Sequence, residues 1–124
     1  MIIGVGVDLV EVQRFRDALR RHGARLERRL FTEAELADCA GRADRALGLA
    51  ARFAAKEAWI KALGTGEGLG LREVEVVRSA SGAPSIRMHG RAAAAARQAG
   101  VARVHVSLTH QASAAAAVVV LEGP

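Results

Sequence analysis

Two carboxylates and two ammonium groups carry the chemistry this chain could do. Asp8 ends an alternating apolar run, IIGVGVD, and Glu57 lies inside residues 51–66, ARFAAKEAWIKALGTG. That second stretch also holds Lys56 and Lys61, the only lysines among 18 lysine and arginine side chains. Arginine is the better ion-pair partner, but in a protein it does not release a proton, whereas lysine does. A lysine kept where arginine is otherwise preferred is therefore a candidate proton donor. Asp8 and Glu57 together could hold Mg²⁺, which takes hard oxygens from one or two carboxylates and completes its shell with water and phosphate. Each group also has a plainer use. Asp8-Leu9-Val10-Glu11 fits a capping box that would start a helix. Glu57 and Lys61, four residues apart, fit a surface ion pair, and Arg52 and Lys56 fit a solvated edge.

The elements that must position these groups follow from periodicity. Residues 2–8 alternate as a strand, with Ile3, Val5 and Val7 on one side and Gly4, Gly6 and Asp8 on the other. A face of two glycines leaves room for something to lie against the backbone. A helix over 11–22 should stop near Gly23. Phe31-Thr32-Glu33-Ala34-Glu35-Leu36 starts another, with Thr32 as cap and Glu35 closing the box. A central helix over 47–63 is apolar nearly all round, so it should be mostly buried, and charges on it need partners. It runs into Gly64-Thr65-Gly66-Glu67-Gly68, whose backbone can approach a ligand closely. Residues 72–78 and 85–89 read as a hairpin, 91–99 as an alanine-rich helix, and 103–109 and 114–121 as two more strands. The order β-α-α-α-β-β-α-β-β predicts an α+β fold, a mostly antiparallel sheet with helices packed on it, in one domain over 1–124.

Composition bounds the function. A chain of 124 residues suits one domain. Its net charge of +5 points to an acidic partner: nucleic acid, a phosphorylated ligand or an acidic protein. The single cysteine, Cys39, excludes an internal disulfide and fits a reducing cytoplasm. No apolar run approaches the ~20 residues of a membrane span, and no basic leader precedes the first strand. A basic nucleotide- or RNA-binding module without catalysis is one reading. Against it stand the scarcity of aromatic stacking surface and the lack of a recognition motif. Another Mg-dependent phosphotransferase or diphosphate hydrolase is a second.

Three segments taken in order resemble one family. They are Ile3-Gly-Val-Gly-Val-Asp8 with Arg14, Arg52-Phe-Ala-Ala-Lys-Glu-Ala58 running through Lys61 to Gly64-Thr-Gly66, and Val106-Ser-Leu-Thr-His110. Together they resemble the holo-[acyl-carrier-protein] synthases, small bacterial 4′-phosphopantetheinyl transferases, over essentially the whole chain. The resemblance implies transfer of the 4′-phosphopantetheine arm of coenzyme A to a serine of apo acyl carrier protein, releasing adenosine 3′,5′-bisphosphate. It implies Asp8 and Glu57 as Mg²⁺ ligands and Lys61 beside the leaving phosphate. Thr109 and His110 would lie by the coenzyme A site, and Arg52 and Arg45 near its 3′-phosphate. Gly64 and Thr65 would line the diphosphate. Asp8 through a water, another carboxylate, or His110 could take the serine proton. Gln111 stands where relatives carry an acid, so no role of that acid transfers. The family also implies a homotrimer with interface active sites, and docking of the acidic carrier on the first helix. Arg14 and Arg21, with Arg25 and Arg28, are the docking candidates. His105, on the face of Ser107 and Thr109, reads as structural or interfacial.

Overall fold

The computed structural model describes residues 1–65 and 68–124. Elements follow the expected order: β1 (Ile2–Glu11), α1 (Val12–Leu30), α2 (Glu33–Ala40), α3 (Arg45–Leu63), β2 (Val74–Arg78), β3 (Pro84–Met88), α4 (Gly90–Gln98), β4 (Arg103–Gln111) and β5 (Ala114–Glu122). A short 3₁₀ turn at Leu71–Glu73 precedes β2. The strands form two antiparallel sheets, one ordered β1-β5-β4 and the other the β2-β3 hairpin. The α+β expectation holds, with its antiparallel strands divided between these two sheets.

Helix α3 is the centre of the molecule, because its alanines let it lie directly on β1. Ala54, Ala55 and Ala58 are fully buried, as are Leu49 and Trp59. The space the two glycines leave on β1 is filled by this helix rather than by a ligand. A Cβ on Gly4 would fall 1.9 Å from the Ala62 carbonyl oxygen, and one on Gly6 1.9 Å from that of Ala58. No real Cβ comes that near to backbone, so only glycine permits this approach. The contact brings the Glu57–Lys61 turn of α3 beside the end of β1.

Local signals set the helix ends. Thr32 and Glu35 form the expected capping box of α2. Asp44 caps α3, its Oδ1 accepting from the Leu47 N–H at 3.1 Å. Gly64, at φ 78°, closes α3 in the left-handed region. Two boundaries differ from expectation. Strand β1 continues to Glu11, because β5 pairs with it as far as Glu11–Ala114. Helix α1 does not stop near Gly23; Gly23 takes a positive φ, kinks the helix, and the helix resumes to Leu30.

The β1-β5-β4 sheet has one covered face and one open face. Ala115, Ala117, Val119 and Leu121 of β5 point into the core. Val5, Val7 and Leu9 of β1 point outward and are 60%, 63% and 71% exposed, with Val118 of β5 beside Val7. His105 also points outward and pairs with Glu122 at 2.9 Å.

Candidate active site

The end of β1 and the middle of α3 bring together the groups expected to act. Asp8 does not cap α1; the residue at that position is Glu11, and no side chain caps the helix. The Asp8 carboxylate instead accepts a hydrogen bond from Lys61 Nζ at 2.9 Å, and the same ammonium donates to the Val7 carbonyl at 3.1 Å. Lys61 is thus hydrogen-bonded across to β1, and the i, i+4 pairing with Glu57 is not its main contact. The bond it donates to Asp8 raises the lysine's affinity for its proton. Glu57 goes the other way from most carboxyls: burial pushes it up, the nearby Asp8 charge adds to this, and Lys61 partly offsets it. Two mutually repelling carboxylates with one ammonium invite a further cation.

Asp8 and Glu57 open onto a cleft of ≈ 930 Å³ between β1, α1 and α3. Arg14 stands at its edge, and Phe15, Phe53, Leu26 and Leu30 give it apolar walls. Among the described residues, no three His, Cys, Asp or Glu side chains gather into a metal site. A metal bound here would find two hard carboxylates and would take its other ligands from water or substrate. That donor set suits Mg²⁺ and disfavours a structural Zn²⁺.

A second cleft, of ≈ 490 Å³, lies on the other flank of α3. Arg42, Arg52, Arg78, Pro84, Ser107 and His110 are among the residues that line it. The β4–β5 turn borders both clefts, His110 on this one and Ser113 and Ala114 on the other. Arg52 is not on a solvated edge. Its side chain is buried, bonded to Asp38 and donating to the Gly48 carbonyl at 3.2 Å, while its Nε has no partner. Asp38 also meets Arg78 across the cleft at 3.5 Å. Arg42, Asp38 and Arg78 were not singled out from sequence, because nothing in their spacing marks them as neighbours of Arg52.

Other expected site residues are placed differently. Arg45 is committed to Glu27 of α1 through two bonds of 2.6 and 2.9 Å, and it does not line the second cleft. Thr109 lies on the open sheet face, opposite Ala116. Gln111 donates to Ser113 Oγ at 3.3 Å within the β4–β5 turn. Gly64 and Thr65 follow directly on α3; Gly66 and Glu67 of the same segment lie outside the described residues. Arg14, Arg21, Arg25 and Arg28 are all exposed along α1.

Lys56 has a structural reason that sequence did not reveal. It is fully buried and spends its three N–H groups on Glu35 Oε1 at 2.6 Å, the Leu71 carbonyl at 2.9 Å and the Val74 carbonyl at 2.9 Å. Glu35, equally buried, completes the set by accepting from the Thr32 and Val76 N–H groups, each at 2.9 Å. The compact ammonium satisfies three acceptors at one point; a planar guanidinium has no such geometry.

Comparison with known proteins agrees with this architecture. The sequence profile of the 4′-phosphopantetheinyl transferase superfamily matches residues 4–119. A holo-[acyl-carrier-protein] synthase of Anaeromyxobacter sp. (strain K) is 54% identical over 126 residues, covering 99% of this chain and 98% of that one. The crystal structure of holo-[acyl-carrier-protein] synthase from Neisseria meningitidis superposes with a TM-score of 0.91 at 31% identity, over 98% of this chain and 99% of that one. A Bacillus anthracis holo-(acyl-carrier-protein) synthase, solved in complex with CoA (3′,5′-ADP), gives 0.82 at 32% identity, over 100% and 99% of the two chains. The chain belongs to the 4′-phosphopantetheinyl transferase superfamily.

Proposed function

We propose that this chain is a holo-[acyl-carrier-protein] synthase. It moves the 4′-phosphopantetheine group of coenzyme A onto a serine hydroxyl of apo acyl carrier protein. The observation that carries the mechanism is that Asp8 and Glu57 line one cleft while Lys61 bonds to Asp8. The serine oxygen bonds to the β-phosphorus of the diphosphate as the bond from that phosphorus to the bridging oxygen breaks. Adenosine 3′,5′-bisphosphate leaves with the bridging oxygen, and the serine proton passes to a base, for which Asp8 through a water, another carboxylate and His110 are the groups at hand.

Asp8 and Glu57 are the residues that would hold Mg²⁺, which when bound draws charge from the diphosphate and the leaving oxygen. Lys61, protonated and half in solvent, is placed to meet the charge that appears on the leaving phosphate. Arg42, Arg52 and Arg78 give the second cleft guanidinium groups for a nucleotide phosphate, with the His110 imidazole beside them. Gly64 and Thr65 end α3 near Lys61, where backbone can approach the diphosphate. Arg45, paired with Glu27, stands outside the lining of the second cleft.

The acidic carrier docks on α1, where Arg14, Arg21, Arg25 and Arg28 are exposed and Arg14 borders the Asp8 cleft. The row Val5, Val7, Leu9 and Val118 is the kind of contiguous apolar surface that marks an interface. A second and third copy of this chain cover it in a homotrimer with active sites at the interfaces. No helix among the described residues is long and apolar enough to cross a membrane. The reading places the reaction in the cytoplasm. The test is mass spectrometry of apo carrier protein incubated with coenzyme A and Mg²⁺. A gain of one phosphopantetheine is expected; an unchanged carrier mass overturns the reading.

A further inference from the structure

The Lys61 ammonium occupies the very carboxylate that a divalent ion would need. It reaches from α3 across to β1, 2.9 Å from Asp8 Oδ1 and 3.1 Å from the Val7 carbonyl. The Asp8 side chain is 16% exposed and that of Lys61 56%, so the ammonium caps the carboxylate from the open side. Glu57, one turn back on α3, faces the same cleft. The two carboxylates carry two negative charges when ionised and the lysine one positive, so these three groups sum to one negative charge.

We propose that Lys61 is an exchangeable counter-ion. Its ammonium holds Asp8 while no divalent ion is bound, and a divalent ion bridging Asp8 and Glu57 displaces it into the cleft. A monovalent and a divalent cation on one carboxylate repel each other, and a divalent ion matches the charge of the two acids together, which one ammonium does not. The lysine stem is flexible, and water or substrate phosphate can receive the freed ammonium. This explains lysine here in an arginine-rich chain. Arginine would grip Asp8 through two parallel bonds and release it less readily. It also sets an order: the cation that stabilises the leaving phosphate becomes available only after the metal is in place.

The inference rests on the two-carboxylate reading above, and the experiment separates the two. Mn²⁺ binding, read by the electron paramagnetic resonance of free Mn²⁺, is measured without nucleotide on the wild type, Lys61→Met, Lys61→Arg and Asp8→Asn. Lys61→Met removes the competitor and should bind Mn²⁺ roughly threefold to fivefold more tightly, the modest factor expected of a partly exposed pair. Lys61→Arg should bind as the wild type does, or more weakly, and Asp8→Asn should not bind. Equal affinity in the wild type and Lys61→Met overturns the exchange and leaves the two-carboxylate site standing. No Mn²⁺ binding by either overturns both.

A second measurement reads the lysine itself. Lys56 is fully buried, which leaves Lys61 as the one accessible lysine amine, with the N-terminal amine as internal reference. Saturating Mg²⁺ should speed acylation of Lys61 relative to the N-terminus by a mild amine-reactive reagent. A ratio unchanged by Mg²⁺ overturns the release of the ammonium.

Discussion

Gly6 of β1 and Ala58 of α3 meet backbone to backbone, so closely that a Cβ on Gly6 would fall 1.9 Å from the Ala58 carbonyl oxygen and 2.7 Å from the Ala62 N–H nitrogen. This contact places Glu57 and Lys61 opposite Asp8. Gly6→Ala should push α3 off the strand, at a cost of at least about 3 kcal/mol in stability. The melting temperature should fall by more than about 10 °C, and carrier modification should fall with it. A wild-type melting curve for Gly6→Ala would show that the helix can stand off without loss.

The buried Lys56–Glu35 pair ties α3 to the start of α2 and to β2. Lys56→Met leaves Glu35 as an uncompensated buried charge and should cost about 3–5 kcal/mol by urea unfolding. The double replacement Lys56→Met with Glu35→Leu removes both charges and should recover part of that loss, although Thr32 and Val76 then lose an acceptor. No recovery in the double variant would mean that the backbone bonds to Glu35 outweigh its pairing with Lys56.

Acid should unfold this protein through carboxylates held below their ordinary range. Arg45 lowers Glu27, Arg16 lowers Asp44, and backbone N–H groups lower Glu73. A depressed folded pKa contributes stability that is present above the unfolded value and is lost as pH falls through the folded one. The urea midpoint should therefore hold steady from neutral pH down to about 5, then decline from near the ordinary carboxylate pKa downward. Glu27→Gln should lie below the wild type at pH 7 and converge with it at low pH. Parallel curves at all pH values would remove Glu27 from the account.

Docking of an acidic carrier on α1 predicts that Arg14→Glu or Arg21→Glu raises the KM for carrier by about tenfold and leaves the KM for coenzyme A unchanged. Added salt should raise the wild-type KM for carrier and narrow the gap between wild type and variants. Steady-state kinetics with each substrate varied in turn checks this. A carrier KM that does not move would place docking elsewhere.

Self-association through the open sheet face predicts that Val7→Glu, which sets a charge in the middle of the Val5–Leu9 row, converts a trimer to a monomer in light scattering. An unchanged mass would assign that face another covering.

Sequence alone determined the element order, the capping of α2 and the burial of α3, because those depend on neighbours within one helix or strand: a Thr32–Glu35 box, a stop at Gly64, an apolar run with few charges. It also marked Asp8, Glu57 and Lys61 by type and motif. It did not supply the hydrogen-bond partners of Lys61, Arg52 and Lys56. Lys61 turned to Asp8 rather than Glu57, Arg52 to Asp38, and Lys56 to Glu35, through contacts that span 14 to 53 positions along the chain. Arg45 went to Glu27 for the same reason. Only the tertiary structure decided these, because a buried charge must take whichever counter-charge and carbonyls packing delivers, and packing here was set by how near α3 can come to two glycines.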